Sequence, residues 1–130
     1  MATTDTATTP LIHIGAEAFY LLQESDPAAG KHLFAYRIKI TNASDVTVQL
    51  LSRHWIIIDG DGHTQEVRGE GVIGKQPVLP PGGSFEYQSF CPLDTGWGTM
   101  EGSYQFRRDD GVLFDAPIPR FFLVSVQKHS

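Results

Sequence analysis

The stretch HLFAYRIKI, residues 32–40, decides the fold class because its side chains alternate with a period of two. The large apolar side chains fall on one side of an extended chain: Phe34, Tyr36, Ile38 and Ile40. The other side carries two charged residues, Arg37 and Lys39. This alternation is typical of a strand in an antiparallel sheet, with one face on the core and the other in water.

Outward from this strand, segments of about 6–12 residues are separated by turn-forming stretches rich in Gly, Pro, Asp and Ser. The turns fall at 25–30, 41–45, 59–63, 79–84, 108–111 and 116–120. Regular short strands with this punctuation predict an all-β fold of seven to eight antiparallel strands, arranged as a β-sandwich.

Several local features are less clear-cut. Residues 12–22, IHIGAEAFYLL, fit both a helical and a strand period, and we predict a strand because every neighbouring segment is one. The long strand VTVQLLSRHWIIID is predicted to kink around Ser52. The stretch at 116–120, APIPR, is predicted to be a loop between two strands, and Trp97 is predicted to lie in the loop TGWG.

Composition narrows the range of functions. The 130 residues fit a flexible tail at 1–10 followed by a single domain at 11–127. A formal net charge of −5 argues against binding nucleic acid, and no apolar run is long enough for membrane insertion. The single cysteine, Cys91, excludes an internal disulfide. We therefore expect a cytoplasmic protein without a bound cofactor.

The stretch GEGVIGKQP, residues 69–77, resembles two phosphate-binding motifs. Gly69, Gly71 and Gly74 have the spacing G-x-G-x-x-G, and Lys75 completes the front of a P-loop. Both motifs require a helix after the glycines, and the Pro and Gly residues at 77–83 exclude one. We predict a structural or protein-contact loop, with a polyphosphate site as the alternative.

A second group of residues could bind a divalent metal. His54, Asp59, Asp61 and His63 would offer imidazole and carboxylate ligands if the turn at 59–63 brought them together. Their spacing matches no established metal motif, so a hydrated hairpin turn with surface histidines is the simpler interpretation. The sequence contains no recognisable catalytic motif, which predicts a non-enzymatic protein.

The chain resembles the ApaG family of bacteria. The similarity rests on LLSRHW (50–55), VRGEGVIGKQPVLPPGGSFEY (67–87), CPL (91–93) and GTMEGSY (98–104). It implies an immunoglobulin-like β-sandwich of the fibronectin type III kind and a genetic link to cobalt resistance and magnesium efflux. Related domains in eukaryotic proteins, including an F-box protein, are appended binding modules, and the G-x-G-x-x-G of the family suggests pyrophosphate binding.

These observations lead to three hypotheses of function. The first is an interaction module that binds an unidentified protein partner through Gly69–Lys75, with Arg53 and Trp97 nearby. On this hypothesis, Gly71→Arg should abolish partner binding with little change in melting temperature. The second is a binder or weak enzyme for nucleotide polyphosphates at the same loop, and the third is direct binding of a divalent cation. Exposed sheet edges would also permit a homodimer.

Overall fold

A computed structural model describes residues 11–125, which form two antiparallel sheets. The strands are β1 (Ile12–Tyr20), β2 (His32–Asn42), β3 (Val48–Asp59), β4 (Thr64–Glu70), β5 (Val78–Leu79), β6 (Ser84–Leu93), β7 (Trp97–Arg108) and β8 (Leu113–Val124). The predicted tail at 1–10 and the last two residues of the predicted domain, 126 and 127, lie outside the described residues. The all-β prediction is confirmed.

The first sheet has the order β1-β2-β6, and the second has the order β4-β3-β7-β8. The short strand β5 pairs with the first residues of β3, on the same edge that β4 occupies further along. Two long-range pairings, β2 with β6 and β3 with β7, tie the middle of the chain together. This arrangement confirms the immunoglobulin-like sandwich of the fibronectin type III kind.

The core lies between the sheets and is built from the apolar faces of the long strands. As the alternation predicted, Phe34, Ile38 and Ile40 of β2 are fully buried. A polar contact crosses the core, where the hydroxyls of Tyr87 and Tyr104 lie 2.6 Å apart. Burial raises the pKa of both tyrosines, so both phenols stay protonated and share a neutral hydrogen bond between the sheets.

The local predictions have mixed outcomes. Residues 12–20 form β1 as expected, and the kink near Ser52 is a register shift in β3. The loop predicted at 116–120 is wrong, because β8 runs through this stretch, with a register shift in its pairing with β7 between Ile118 and Phe121. Pro117 is tolerated because β8 is an edge strand, where a missing backbone donor can face away from the sheet.

Helical structure within residues 11–125 is limited to two short 3-10 turns, Leu22–Glu24 and Pro27–Ala29. No helix in this described part is long and apolar enough to cross a membrane.

Candidate functional site

The glycine-rich stretch forms a tight hairpin at the end of β4. Val72 and Lys75 exchange two backbone hydrogen bonds, Val72 N–H to Lys75 O at 2.8 Å and Lys75 N–H to Val72 O at 2.9 Å. Ile73 and Gly74 are the two central residues, both with positive φ, which is the signature of a type I′ turn. We call residues 72–75 the VIGK hairpin. Its base is attached to β3 by the Gly71 N–H, which donates to Leu51 O at 2.8 Å.

Each glycine of the G-x-G-x-x-G pattern has a separate structural reason. Gly69 lies beneath the guanidinium of Arg53, where a Cβ would approach three of its atoms to 2.8 Å. Gly71 has a φ of 65°, and a Cβ there would collide with the carbonyl oxygen of Lys75. Gly74 has a φ of 79° in the turn. The spacing therefore follows from close packing and turn geometry.

The backbone N–H groups of this stretch are largely used within the protein. Those of Gly71, Val72 and Lys75 all donate to backbone carbonyls. β5 and β6 follow the hairpin, so the loop is not followed by a helix whose N-terminus could bind an anion. A phosphate would have to displace these bonds to use the same donors.

The residue that the sequence analysis missed is Ile73. Its φ of 45° is the only positive φ of a non-glycine residue in the described chain, and its side chain is 54% exposed. A β-branched residue is disfavoured in this conformation, where Asn, Asp or Gly is usual. The signal was present in the sequence, since a two-residue turn between Val72 and Lys75 must place Ile73 at its first central position.

Arg53 lies at the base of the VIGK hairpin. It lies on the core-facing side of β3 opposite Gly69, and its Nη1 donates to the carbonyls of Glu70 at 3.0 Å and Gly71 at 2.8 Å. None of the ion pairs found in residues 11–125 involves Arg53. The guanidinium is therefore held in place by neutral carbonyl groups.

Trp97 does not lie near the hairpin. It is the first residue of β7, not a loop residue, and its indole packs on Gly60, where a Cβ would lie 2.9 Å from Cδ1. Gly60 is nine residues beyond Leu51, the anchor of the hairpin, which corresponds to about 30 Å along a strand. The predicted partner surface is therefore divided between the two ends of β3.

Around Trp97 lies an exposed apolar patch. Trp97 pairs with Val124, and Thr99 pairs with Phe122 on the next strand. The three large side chains are each at least half exposed, Trp97 at 50%, Val124 at 57% and Phe122 at 60%. Sequence periodicity did not single out Phe122 or Val124, because both lie in a strand whose neighbours Phe121 and Leu123 are also apolar.

The predicted metal ligands are only partly brought together. Potential ligand atoms of Asp59, Asp61 and His63 lie within 4.8 Å of one another. His54 is on the outer face of β3, where its Nε2 lies 2.8 Å from Glu66 Oε1. That hydrogen bond lowers the pKa of the Glu66 carboxyl. Any cation at the turn would therefore be bound without His54.

The Asp59 carboxylate organises the turn through its own hydrogen bonds. Oδ1 accepts the N–H of Asp61 at 2.9 Å and the N–H of His63 at 3.0 Å, and Oδ2 lies 3.3 Å from His63 Nδ1. Burial tends to raise the pKa of this carboxyl. The two backbone hydrogen bonds, together with the hydrogen bond and charge interaction of the His63 ring, outweigh that effect and hold its pKa below the ordinary value. The grouping of these three residues thus has a local explanation, an Asx-type turn.

The fold and its loops define a small β-sandwich domain of the fibronectin type III-like class, decorated by one strained hairpin and one acidic turn. Residues 22–108 match the ApaG domain. The chain belongs to the ApaG family, as its sequence motifs indicated.

Individual relatives agree with this assignment. The chain is 50% identical to Protein ApaG of Brucella abortus (strain S19) over 90% of both chains. It is 53% identical to Protein ApaG of Thiobacillus denitrificans over 86% of this chain and 88% of that one. A crystal structure of a putative ApaA protein from Bordetella pertussis superposes with a TM-score of 0.89 at 43% identity, covering 92% of this chain and 97% of the other.

Proposed function

We propose that this protein is a non-enzymatic interaction module of the cytoplasm that binds a protein partner through the VIGK hairpin. The observation that carries the proposal is Ile73, an exposed β-branched residue held at a φ of 45°. Backbone strain of this kind costs about 1–3 kcal/mol and is concentrated at functional sites. A role as an apolar anchor for a partner would explain why this position is not the Asn or Gly that the turn prefers.

The surroundings of Ile73 suit a contact surface. Residues 73–75 of the hairpin are exposed, and Val78, just beyond it in β5, is also exposed at 58%. The two apolar side chains are close in sequence to the cation Lys75. Interfaces commonly combine a central apolar anchor with a polar or charged rim.

Photo-cross-linking in living cells would test this proposal. A photoreactive amino acid at position 73 should give a discrete adduct of higher mass than the protein itself. The matched control is position 112, because Val112 lies just after the β7–β8 turn and is 49% exposed. Equal adducts from both positions, or none from position 73, would contradict a partner site at the hairpin.

The resemblance to the ApaG family suggests that the partner takes part in resistance to cobalt and efflux of magnesium. We infer that the protein acts on these processes indirectly, by binding a component that transports or senses the ion. A strain lacking the gene should lose cobalt tolerance, the wild-type protein should restore it, and a folded Ile73→Asn variant should not. Full restoration by that variant would separate the cobalt phenotype from the hairpin.

A second candidate is a nucleotide polyphosphate ligand at Gly69–Lys75. Lys75 and the remaining N–H groups of the hairpin would have to hold the phosphates, since those of Gly71, Val72 and Lys75 are already bonded. Diadenosine tetraphosphate should then shift amide NMR signals of residues 69–76, and Lys75→Gln should abolish the shifts. A lack of shifts at millimolar ligand would leave the protein partner as the hypothesis to pursue.

A third candidate is a divalent cation bound by Asp59, Asp61 and His63. The proximity of their ligand atoms favours it, although the turn explains that proximity without an ion. Binding of Co²⁺ should raise the melting temperature, and His63→Ala should remove the increase while His54→Ala should not. An identical increase in both variants would place the ion elsewhere.

A further inference from the structure

The two flanks of the sandwich differ in how they are closed. On one flank, β1 and β8 lie beside each other. On the other flank, β4 and β6 are the edge strands and leave a cleft of about 210 Å³ between the sheets. Its polar lining includes Tyr36, Arg53, Ser89 and Cys91, and its apolar lining includes Trp55 and Met100.

Arg53 gives this cleft a fixed positive charge. The guanidinium rests on Gly69, and its two hydrogen bonds within the described chain both come from Nη1, which leaves Nη2 and Nε as donors. The side chain is half-buried and has no carboxylate partner in residues 11–125. A half-buried guanidinium that has unused donors and no carboxylate partner, beside an apolar floor, fits an anionic ligand.

The opposite wall supplies neutral hydrogen-bond donors. The Tyr36 hydroxyl interacts with Ser89, and burial raises the pKa of Tyr36, so its phenol keeps its proton. Burial likewise raises the pKa of Cys91 to about 11, which keeps a thiolate from competing with an anion. On the β3 wall, two residues along the strand from Arg53, the indole N–H of Trp55 is buried and has no hydrogen-bond partner among the described residues. The cleft therefore presents donors without any carboxylate in its lining.

We infer that the cleft between β4 and β6 binds a small organic oxyanion, a carboxylate or a phosphate monoester, whose headgroup is held by Arg53 and the hydroxyls of Tyr36 and Ser89. The planar guanidinium suits both headgroups because it offers donors in a fork. The apolar floor receives the body of the ligand.

The volume limits the size of the ligand. A protein cavity of about 150 Å³ can hold a benzene molecule. The 210 Å³ of the cleft therefore accommodates one ring-sized apolar body together with a headgroup, and excludes a dinucleotide. Arg53 also donates to the carbonyls of Glu70 and Gly71 at the base of the VIGK hairpin. Tyr36→Phe leaves those bonds in place, so this variant separates the cleft from the partner proposal.

NMR titration with three probes of matched shape would test the inference. Benzoate and phenyl phosphate carry the two headgroups, and benzyl alcohol is the neutral control. At least one anion should give saturable shifts of the Trp55 indole N–H and the Met100 methyl, whereas benzyl alcohol should not. The comparison of benzoate with phenyl phosphate identifies the preferred headgroup.

Substitutions then assign the binding group. Arg53→Gln should raise the Kd at least about tenfold, because hydrogen bonds to charged groups are the strong ones. The matched control is Arg68→Gln, which removes the same charge from the outer face of the adjacent strand. Tyr36→Phe should weaken binding by about threefold to tenfold. If Arg53→Gln fails to fold, this variant tests the inference, and an unchanged Kd would contradict it.

Three outcomes would overturn the inference. Equal shifts with benzyl alcohol would show that the cleft is only apolar. An equal loss of affinity in Arg68→Gln would show a general effect of charge. The absence of any saturable shift at millimolar concentrations of both anions would show that the cleft is not a site for them.

Discussion

Two glycine-rich turns of this protein resemble ligand loops in sequence and differ in how they are built. The turn at Asp59–His63 joins β3 to β4, and the VIGK hairpin follows β4 at the other end of that strand. In the first turn, the positive φ of 86° falls on Gly62, and the Asp59 carboxylate satisfies the backbone. In the second, a positive φ falls on Ile73, a residue that disfavours it.

This difference shows that the spacing of glycines and the presence of a residue in an unfavourable backbone conformation carry different information about function. The glycines of both turns are explained by turn geometry or close packing, so their spacing alone does not indicate a ligand. The informative residue is Ile73, because a β-branched side chain disfavours the positive φ of this turn position, where Asn, Asp or Gly is usual. By this criterion we favour the hairpin as the functional site and a structural role for the 59–63 turn.

The largest expected effect comes from breaking the base of the hairpin. Gly71→Ala should lower the free energy of unfolding by about 3 kcal/mol, because a Cβ at a φ of 65° collides with the Lys75 carbonyl. The control is Gly74→Ala, where φ is 79° but no atom lies within 4 Å of the added Cβ, and the cost should be about 1 kcal/mol. Urea denaturation measures both, and equal losses would refute the role of the Lys75 contact.

The same geometry changes the expectation for Gly71→Arg. Gly71 is buried at the base of the hairpin, so a large side chain there should lower the melting temperature substantially. A loss of partner binding in that variant would therefore not distinguish a contact from misfolding. Position 73, at the exposed tip, is the better place to test binding.

A smaller effect, a gain in stability, is expected for a substitution of Ile73 at the tip of the VIGK hairpin. Ile73→Asn should raise the free energy of unfolding by about 1 kcal/mol, because Asn tolerates a positive φ and Asn-Gly is favoured in this turn. The measurement is urea denaturation beside the wild type, with Val112→Asn as a control at an exposed apolar site without strain. A destabilised Ile73→Asn variant would mean that Ile73 packs usefully and that the strain argument fails.

The smallest expected effect is a pH dependence of the 59–63 turn that the VIGK hairpin should not share. The lowered pKa of Asp59 means that its contribution to stability is complete above the ordinary carboxyl pKa of about 4 and is lost as pH falls through the lower folded value. The amide signals of Asp61 and His63 should titrate below that pH, while those of Val72 and Lys75 should not. Asp59→Asn should abolish the titration, and its persistence in that variant would assign the effect to another carboxyl.

The sequence allowed much of the fold to be predicted, because alternation in β2 and frequent turns leave few alternatives to a sandwich. It misplaced the loop at 116–120, since a proline is ambiguous until the strand carrying it is known to be at an edge. It joined Arg53 and Trp97 into one surface, although the length of β3 separates them. The cleft was not predictable at all, because its lining comes from five strands whose register only the tertiary structure fixes.

The burial of Cys91 offers a way to measure local opening of the sandwich by thiol labelling. Cys91 is 3% exposed, and burial raises the pKa of its thiol to about 11, so we expect an alkylating reagent to react with it mainly during local openings of the β6 edge. Because it is the single cysteine of the chain, its labelling rate reports those openings without a contribution from any other thiol. A ligand that occupies the cleft, whose lining includes Cys91, should slow this labelling.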